Sequence, residues 1–289
     1  MPHCTSFTEH ITVRGLRYGI RHWGDPKAPI VFFLHGWMDS SATFQFVVDA
    51  LKTAWHVIAP DWRGYGQSQW LSRPYWFPDY YADLHDILAH YSQSPVRLVG
   101  HSMGANIAST YAGLRPERVS QLVMMDFLGL AVPGNTDGSK QLNQWLTEVE
   151  ATPEMRAYKD HEALARRLLS VNHRLTANRA EFLSRSVSYV RPDGLVAMAC
   201  DPWHKIPSPT LYRVEDSMAS WQRITAPILM LIADKGFVHQ RLANFPKELQ
   251  RRLECFKNHL IVTISDAGHN IQHDQPEQVA AALDQFLTN

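Results

Sequence analysis

The sequence predicts a doubly wound, mostly parallel α/β sheet with a helical segment inserted between two of its strands. Three observations predict it. Apolar runs of strand length alternate with helical patterns along most of the chain. Those runs are continuous in Val, Ile, Leu and Phe rather than alternating, as strands covered on both faces must be. One interval, residues 127–226, breaks the alternation with helical patterning only. A length of 289 residues suits one large α/β domain or two ordinary ones.

Each element has its own signal. "ITVRGLRYGIRHWG" (11–24) reads as a hairpin turning near Gly15. "APIVFFLHG" is a buried strand ending at His35, and "WHVIAPDWRGYG" another ending at Asp61. "SPVRLVG" ends at Gly100 and "VSQLVMMD" at Asp126. "APILMLIAD" ends near Asp234, and "HLIVTISDAGH" ends before His269. Helices are expected over 79–90 and 103–114. A last one lies in "QPEQVAAALDQFL", where Pro276 suits a first turn and Val279, Leu283, Phe286 and Leu287 share a face. Within 127–226, Leu142, Trp145, Leu146 and Val149 form one helical stripe, and Leu164, Leu168 and Val171 another. The expected division is therefore a core of 1–126 and 227–289 and a helical cap of 127–226. The cap should lie over the C-terminal sheet edge, where open α/β sheets bind ligands.

Composition narrows the function. Hydrophobic residues make 45% and charged residues 19%, an ordinary globular mix. Lys plus Arg and Asp plus Glu each number 28, so no net charge favours nucleic acid or an anionic membrane. Fifteen histidines would turn the net charge positive below about pH 6.5. Cys4, Cys200 and Cys255 form no CxxC pair, which fits a reducing, cytoplasmic setting and neither a disulfide framework nor a zinc site. No signal peptide or membrane span is read. No cofactor or metal is expected, and the expected partner is a small-molecule substrate. Oligomeric state is not legible.

Four stretches carry chemistry. Gly100-His101-Ser102-Met103-Gly104 fits G-x-S-x-G between a strand and a helix, which makes Ser102 a candidate nucleophile. Bulk at the flanking glycines would collide with strand and helix. A serine hydroxyl needs a base. His269 in "SDAGHNIQHDQPEQV" sits after the last strand, with Gly268 free to turn the imidazole inward. His273 lies four residues on, but no third acidic ligand accompanies the pair, so a metal is discounted. The base needs a carboxylate, and both Asp126 and Asp234 end strands on the proper edge. The oxyanion needs two backbone N–H donors. Met103 and Trp37, the latter in "FLHGWMDSS", are the candidates.

These stretches, in the order HGW, DWRGYGQS (61–68), GHSMG and DAGH, resemble the α/β-hydrolase fold superfamily over nearly the whole chain except the cap. The resemblance implies a chain order of nucleophile, acid, base. Most members carry the acid three residues past the last small residue of the strand after the cap. Counted from Ala233 that position is Gly236. Another branch, including haloalkane dehalogenase-like members, carries it about two dozen residues past the nucleophile, where Asp126 stands. The resemblance thus favours Asp126 over Asp234. Dehalogenases and epoxide hydrolases use an aspartate nucleophile, so Ser102 implies acyl-enzyme chemistry instead.

The expected function is hydrolysis of a small, largely apolar carboxylic ester or related acyl compound. The alternative on the same fold is a cofactor-free oxygenase or a C–C bond hydrolase that uses the His–Asp pair as base. A non-catalytic, ligand-perceiving descendant is a third possibility, opposed by the completeness of the set. An aromatic pocket is expected from Trp37, Trp70, Trp76 and Phe77, with Trp145, Trp203 and Trp221 from the cap, although for any single one of them core packing is the favoured reading.

Overall fold

The structure, a computed structural model, describes residues 4–130 and 137–288. The hairpin is longer than its sequence signal: β1 (Ser6–Val13) and β2 (Leu16–Trp23) pair antiparallel around Arg14 and Gly15, both at positive φ. There follow β3 (Ile30–Leu34), α1 (Gln45–Ala50), β4 (His56–Pro60), α2 (Asp79–Tyr91), β5 (Val96–His101), α3 (Met103–Leu114) and β6 (Val119–Met125). The next interval holds α4 (Gly138–Val149), β7 (Ala157–Tyr158), α5 (His161–Val171), α6 (Ala177–Ser186), β8 (Ser188–Val190), β9 (Val196–Met198) and α7 (Val214–Trp221). The chain ends with β10 (Ile228–Ala233), α8 (Phe237–Leu242), α9 (Pro246–Leu253), β11 (His259–Ile264), α10 (Ile271–Asp274) and α11 (Pro276–Leu287).

The main sheet runs β1-β2-β4-β3-β5-β6-β10-β11, parallel from β4 to β11. Strand residues alternate between two cores. Leu98, Leu122, Met124 and Met230 face one with α2, α3 and α7. Val99, Val123, Met125 and Leu231 face the other with α1 and α11. Both faces being covered is why these strands read as continuous apolar runs. The chain leaves β3 toward one side for β4, then returns past β3 to β5. The loops after β3 and β5 therefore part at the C-terminal edge, a switch point where a ligand crevice opens.

Residues 127–226 depart from the expectation in three ways, with 131–136 outside the described residues. The interval is not wholly helical: β7, β9 and β8 form a small antiparallel sheet. Strands of two or three residues are too short to show a period of two. The Leu142–Val149 stripe does form α4, yet Leu142 and Leu146 are half exposed and the helix buries no residue. Trp221 is not a pocket aromatic. It is fully buried on α7, stacks on Phe256 and donates from Nε1 to Ser109 Oγ of α3 at 3.1 Å.

Candidate active site

Ser102 occupies the turn between β5 and α3 with φ 51° and ψ −114°, a left-handed strain worth about 1–3 kcal/mol. Its flanking glycines explain the motif. A Cβ on Gly100 would lie 2.5 Å from the Gly104 carbonyl oxygen and 2.6 Å from Ala105 Cα, and one on Gly104 would overlap the Leu34 carbonyl. The turn is held by Ser102 N–H donating to the Met125 carbonyl at 3.1 Å and Asn106 N–H donating to the Ser102 carbonyl at 3.0 Å.

His269 follows β11 and reaches both partners. Ser102 Oγ lies 2.9 Å from Nε2, and Asp126 Oδ2 lies 2.7 Å from Nδ1. The roles follow from the neighbours. Asp126 can only accept, so Nδ1–H donates to it and Nε2 accepts from the serine hydroxyl. Asp126 is fully buried at φ 46° after β6. It also accepts from Phe237 N–H at 2.6 Å and Ala233 N–H at 3.3 Å. The open question of the acid has a geometric answer: Asp234 is elsewhere. Its two oxygens accept from Asp266 N–H and Ala267 N–H at 3.0 Å each, which hold its carboxyl below the usual range and shape the turn before His269. Gly236, the position expected for an acid in most members, is filled from outside. A Cβ there would lie 2.5 Å from Asp126 Oδ2.

The second loop comes from β3. A Cβ on Gly36 would stand 3.2 Å from Ser102 Cβ, so the Gly36–Trp37 peptide lies beside the serine. His35 fixes its orientation, a role the sequence did not disclose. Buried His35 accepts from Trp62 N–H at Nε2 (3.0 Å), so Nδ1–H donates to the Gly36 carbonyl (2.8 Å). Burial pushes its pKa down to about 4, keeping it neutral. In a trans peptide C=O and N–H point opposite ways, so anchoring the Gly36 carbonyl also sets the direction of Trp37 N–H. Met103 is the first residue of α3, whose N–H lacks an intrahelical acceptor. His101 is the other support. Its Nε2–H donates to the His269 carbonyl at 2.8 Å, and its Nδ1 accepts from Gln272 Nε2 at 3.3 Å. Burial holds His101 well below the usual histidine range.

A cavity of about 150 Å³ adjoins this centre. Trp37 and Asn270, chain neighbours of Gly36 and His269, are in its wall, while Ser102 and His269 are not. The expected aromatic lining is corrected: of the named aromatics only Trp37 borders it, and the rest is largely aliphatic, from Leu168, Leu175, Leu183, Val187 and Met198. Trp76 is exposed, and Trp70 borders a separate open groove beside Tyr189. His273 does not pair with His269 around a metal; it bonds Thr43 Oγ1 at 2.6 Å. Among the described residues no group of three His, Cys, Asp or Glu side chains is arranged for a metal. No described helix is long and apolar enough to cross a membrane.

Residues 29–276 match the model of the α/β hydrolase fold family. The chain belongs to that family, and hydrolase activity is what membership implies. It is 26% identical to the serine hydrolase-like protein of Danio rerio over 278 residues, covering 92% of this chain and 83% of the relative. Over 124 residues it is 33% identical to the 3-hydroxybutyrate-oligomer hydrolase of Cupriavidus necator, 42% of each chain. Among solved structures, a hypothetical protein from Pseudomonas aeruginosa PAO1 superposes with a TM-score of 0.85 at 22% identity, covering 98% of this chain and 99% of the other.

Proposed function

We propose that the protein is a serine hydrolase that cleaves a small, largely apolar carboxylic ester through an acyl-enzyme. The observation that carries this reading is the relay from Ser102 Oγ to His269 Nε2 (2.9 Å) and from His269 Nδ1 to Asp126 (2.7 Å), with Ser102 on a strained turn. Ser102 attacks the ester carbonyl as its proton passes to Nε2. Asp126 stabilises the imidazolium. Trp37 and Met103 amides receive the oxyanion, at about 3 kcal/mol per donor. The imidazolium then protonates the departing alkoxide. In the second half, water gives its proton to Nε2, attacks the acyl carbonyl and returns Ser102 as the acid leaves.

In this reading residues 127–226 are the cap, over a core of 1–126 and 227–289. Its support is that α5, α6 and β9 contribute to the cavity wall opposite Trp37 and Asn270. Three unpaired cysteines support a reducing, cytoplasmic setting.

The test is Ser102→Ala against wild type on short p-nitrophenyl esters, with a fluorophosphonate probe on both. Wild type is expected to hydrolyse and to be labelled, and the variant to do neither while keeping its melting temperature. Undiminished turnover in the variant refutes the assignment.

A further inference from the structure

The loop that carries Trp37 continues into a second polar centre. Met38 is left-handed at φ 58°, and Asp39, the next residue, lines the cavity beside Asn270 and His273. The opposite walls are aliphatic side chains of α5, α6 and the segment between them. Asp39 is partly buried, and the wall mixes these apolar side chains with Asn172, Asn270 and His273, so the carboxyl can meet a ligand in the cavity.

Its bonds can be counted. Asp39 Oδ1 accepts from Ser40 N–H at 2.9 Å, and the nearby Thr43 hydroxyl favours its charged form. Thr43 Oγ1 receives Gln272 Nε2–H at 3.2 Å and shares a hydrogen bond of 2.6 Å with His273 Nε2. Burial pushes His273 down to about 3, so it stays neutral. Among the described residues, the Ser40 amide and the nearby Thr43 hydroxyl face a group with about four acceptor positions. The remainder of its bonding capacity is left to whatever fills the cavity.

We propose that this cavity receives the acyl chain of the ester and that Asp39 is a specificity-determining residue that binds a hydroxyl group on it. The substrate class is then esters of short hydroxylated acids; this rests on the serine hydrolase reading above. A cavity of about 150 Å³ holds a benzene-sized group, about six heavy atoms. The acyl side is favoured because Trp37 joins the two sites, its N–H beside the reacting carbonyl and the residue itself bordering the cavity. Burial, with Asp61 as a nearby like charge, raises Asp39 to about 7. Asp61 and His273 are the charged or titratable groups that face it, and His273, kept neutral by burial, does not change charge above pH 6.

The test compares methyl esters of straight four- to eight-carbon acids with their 3-hydroxy, terminal hydroxy and terminal amino counterparts. Acid release is followed in a pH-stat from pH 6 to 8.5. The readout is the hydroxy-to-deoxy ratio of kcat/KM, in which any pH effect common to both esters cancels. Wild type is expected to favour at least one hydroxy ester about tenfold, the worth of one good hydrogen bond. The ratio should rise with pH through about 7, because a methylene chain then covers a charge and a hydroxyl does not leave it unpaired. Asp39→Leu should bring the ratio to one or below. Asp39→Asn should keep part of it and lose its pH dependence. A ratio near one at every hydroxyl position, a ratio unmoved in Asp39→Leu, or preference for an amino ester overturns the proposal. Fluorophosphonate labelling of Ser102 in each variant reports an intact centre. If deoxy esters turn over and Ser102 is labelled while Asp39 has no effect, only this proposal fails. If no ester turns over and Ser102 stays unlabelled, the hydrolase reading fails with it.

Discussion

Removing the Asp126 carboxylate and restoring it from another strand is the sharpest test of the relay. Asp126→Gly suits the backbone, since φ there is 46° and glycine adopts that region freely. It deletes the acceptor 2.7 Å from His269 Nδ1. Loss of the orienting acid in comparable triads costs about 10⁴ in kcat, or about 5.5 kcal/mol of barrier. Gly236 then offers a way back. Its hypothetical Cβ lies 2.5 Å from the position of Asp126 Oδ2. Within an aspartate the distance from Cβ to a carboxylate oxygen is about 2.4 Å, given bonds of about 1.5 and 1.2 Å. An aspartate introduced by Gly236→Asp, once its Cβ has shifted away from Ala233 Cβ (2.5 Å without that shift), can therefore place an oxygen near where Asp126 Oδ2 stood. The double variant is expected to regain at least about 100-fold of the activity lost in Asp126→Gly, measured as kcat on a p-nitrophenyl ester. Asp234→Asn should stay within about tenfold of wild type, because its oxygens serve backbone amides of the neighbouring turn. The reasoning is refuted if Asp234→Asn loses as much as Asp126→Gly, or if Asp126→Gly keeps activity within tenfold.

Three further outcomes are expected. Gly104→Ala sets a methyl group into the Leu34 carbonyl and should cost about 3 kcal/mol or more of stability in urea unfolding. His35→Ala frees the Gly36 carbonyl and should lower kcat about tenfold or more with little change in KM, since oxyanion donors act in the transition state. Stability should fall steeply from pH 6 to 4.5. Burial lowers the pKa of His35 to about 4, of His204 and His273 to about 3, and of His101 in the same direction. Below pH 6.5 the unfolded chain takes up these four protons and the folded one does not, so stability is lost as pH falls. Asp39, raised to about 7, holds a folded-state proton and offsets one of the four. Three net protons give a slope of about 4 kcal/mol per pH unit, and denaturant titrations at half-unit steps would measure it. A flat profile over that range contradicts neutral burial of these histidines.

The meeting of Ser102 and His269, the proposed nucleophile and base, was legible because its requirements are local. Gly100 and Gly104 are demanded by backbone atoms within the same turn or in adjacent β3, and a strand–serine–helix pattern announces that turn. The oxyanion loop was legible for a similar reason, since Gly36 must let a peptide approach Ser102. The support for that loop was not. His35 acts through Trp62, in a different strand connection, and a histidine before a glycine gives no hint of which carbonyl it holds. The small sheet of β7, β9 and β8 escaped because two- and three-residue strands carry no periodicity. Trp221 packs as core, the reading favoured for any single tryptophan of that interval, but the sequence did not name the surface, here Ser109 and Phe256.

The acid shows why one missing side chain can decide what two present ones do. Asp126 and Asp234 both end parallel strands, and neighbouring residues do not rank them. Position 236 ranks them. With no Cβ there, the Asp126 carboxylate occupies the space in front of α8 and takes the Phe237 amide as well as His269. Any side chain at 236 would displace it. Asp234, one strand end away, is left to accept the Asp266 and Ala267 amides and so to set the turn that presents His269. Each aspartate thus supports the same histidine, Asp126 through its ring and Asp234 through its backbone. Exchanging the carboxylate between 126 and 236 therefore moves the partner of the ring and leaves the turn itself to Asp234.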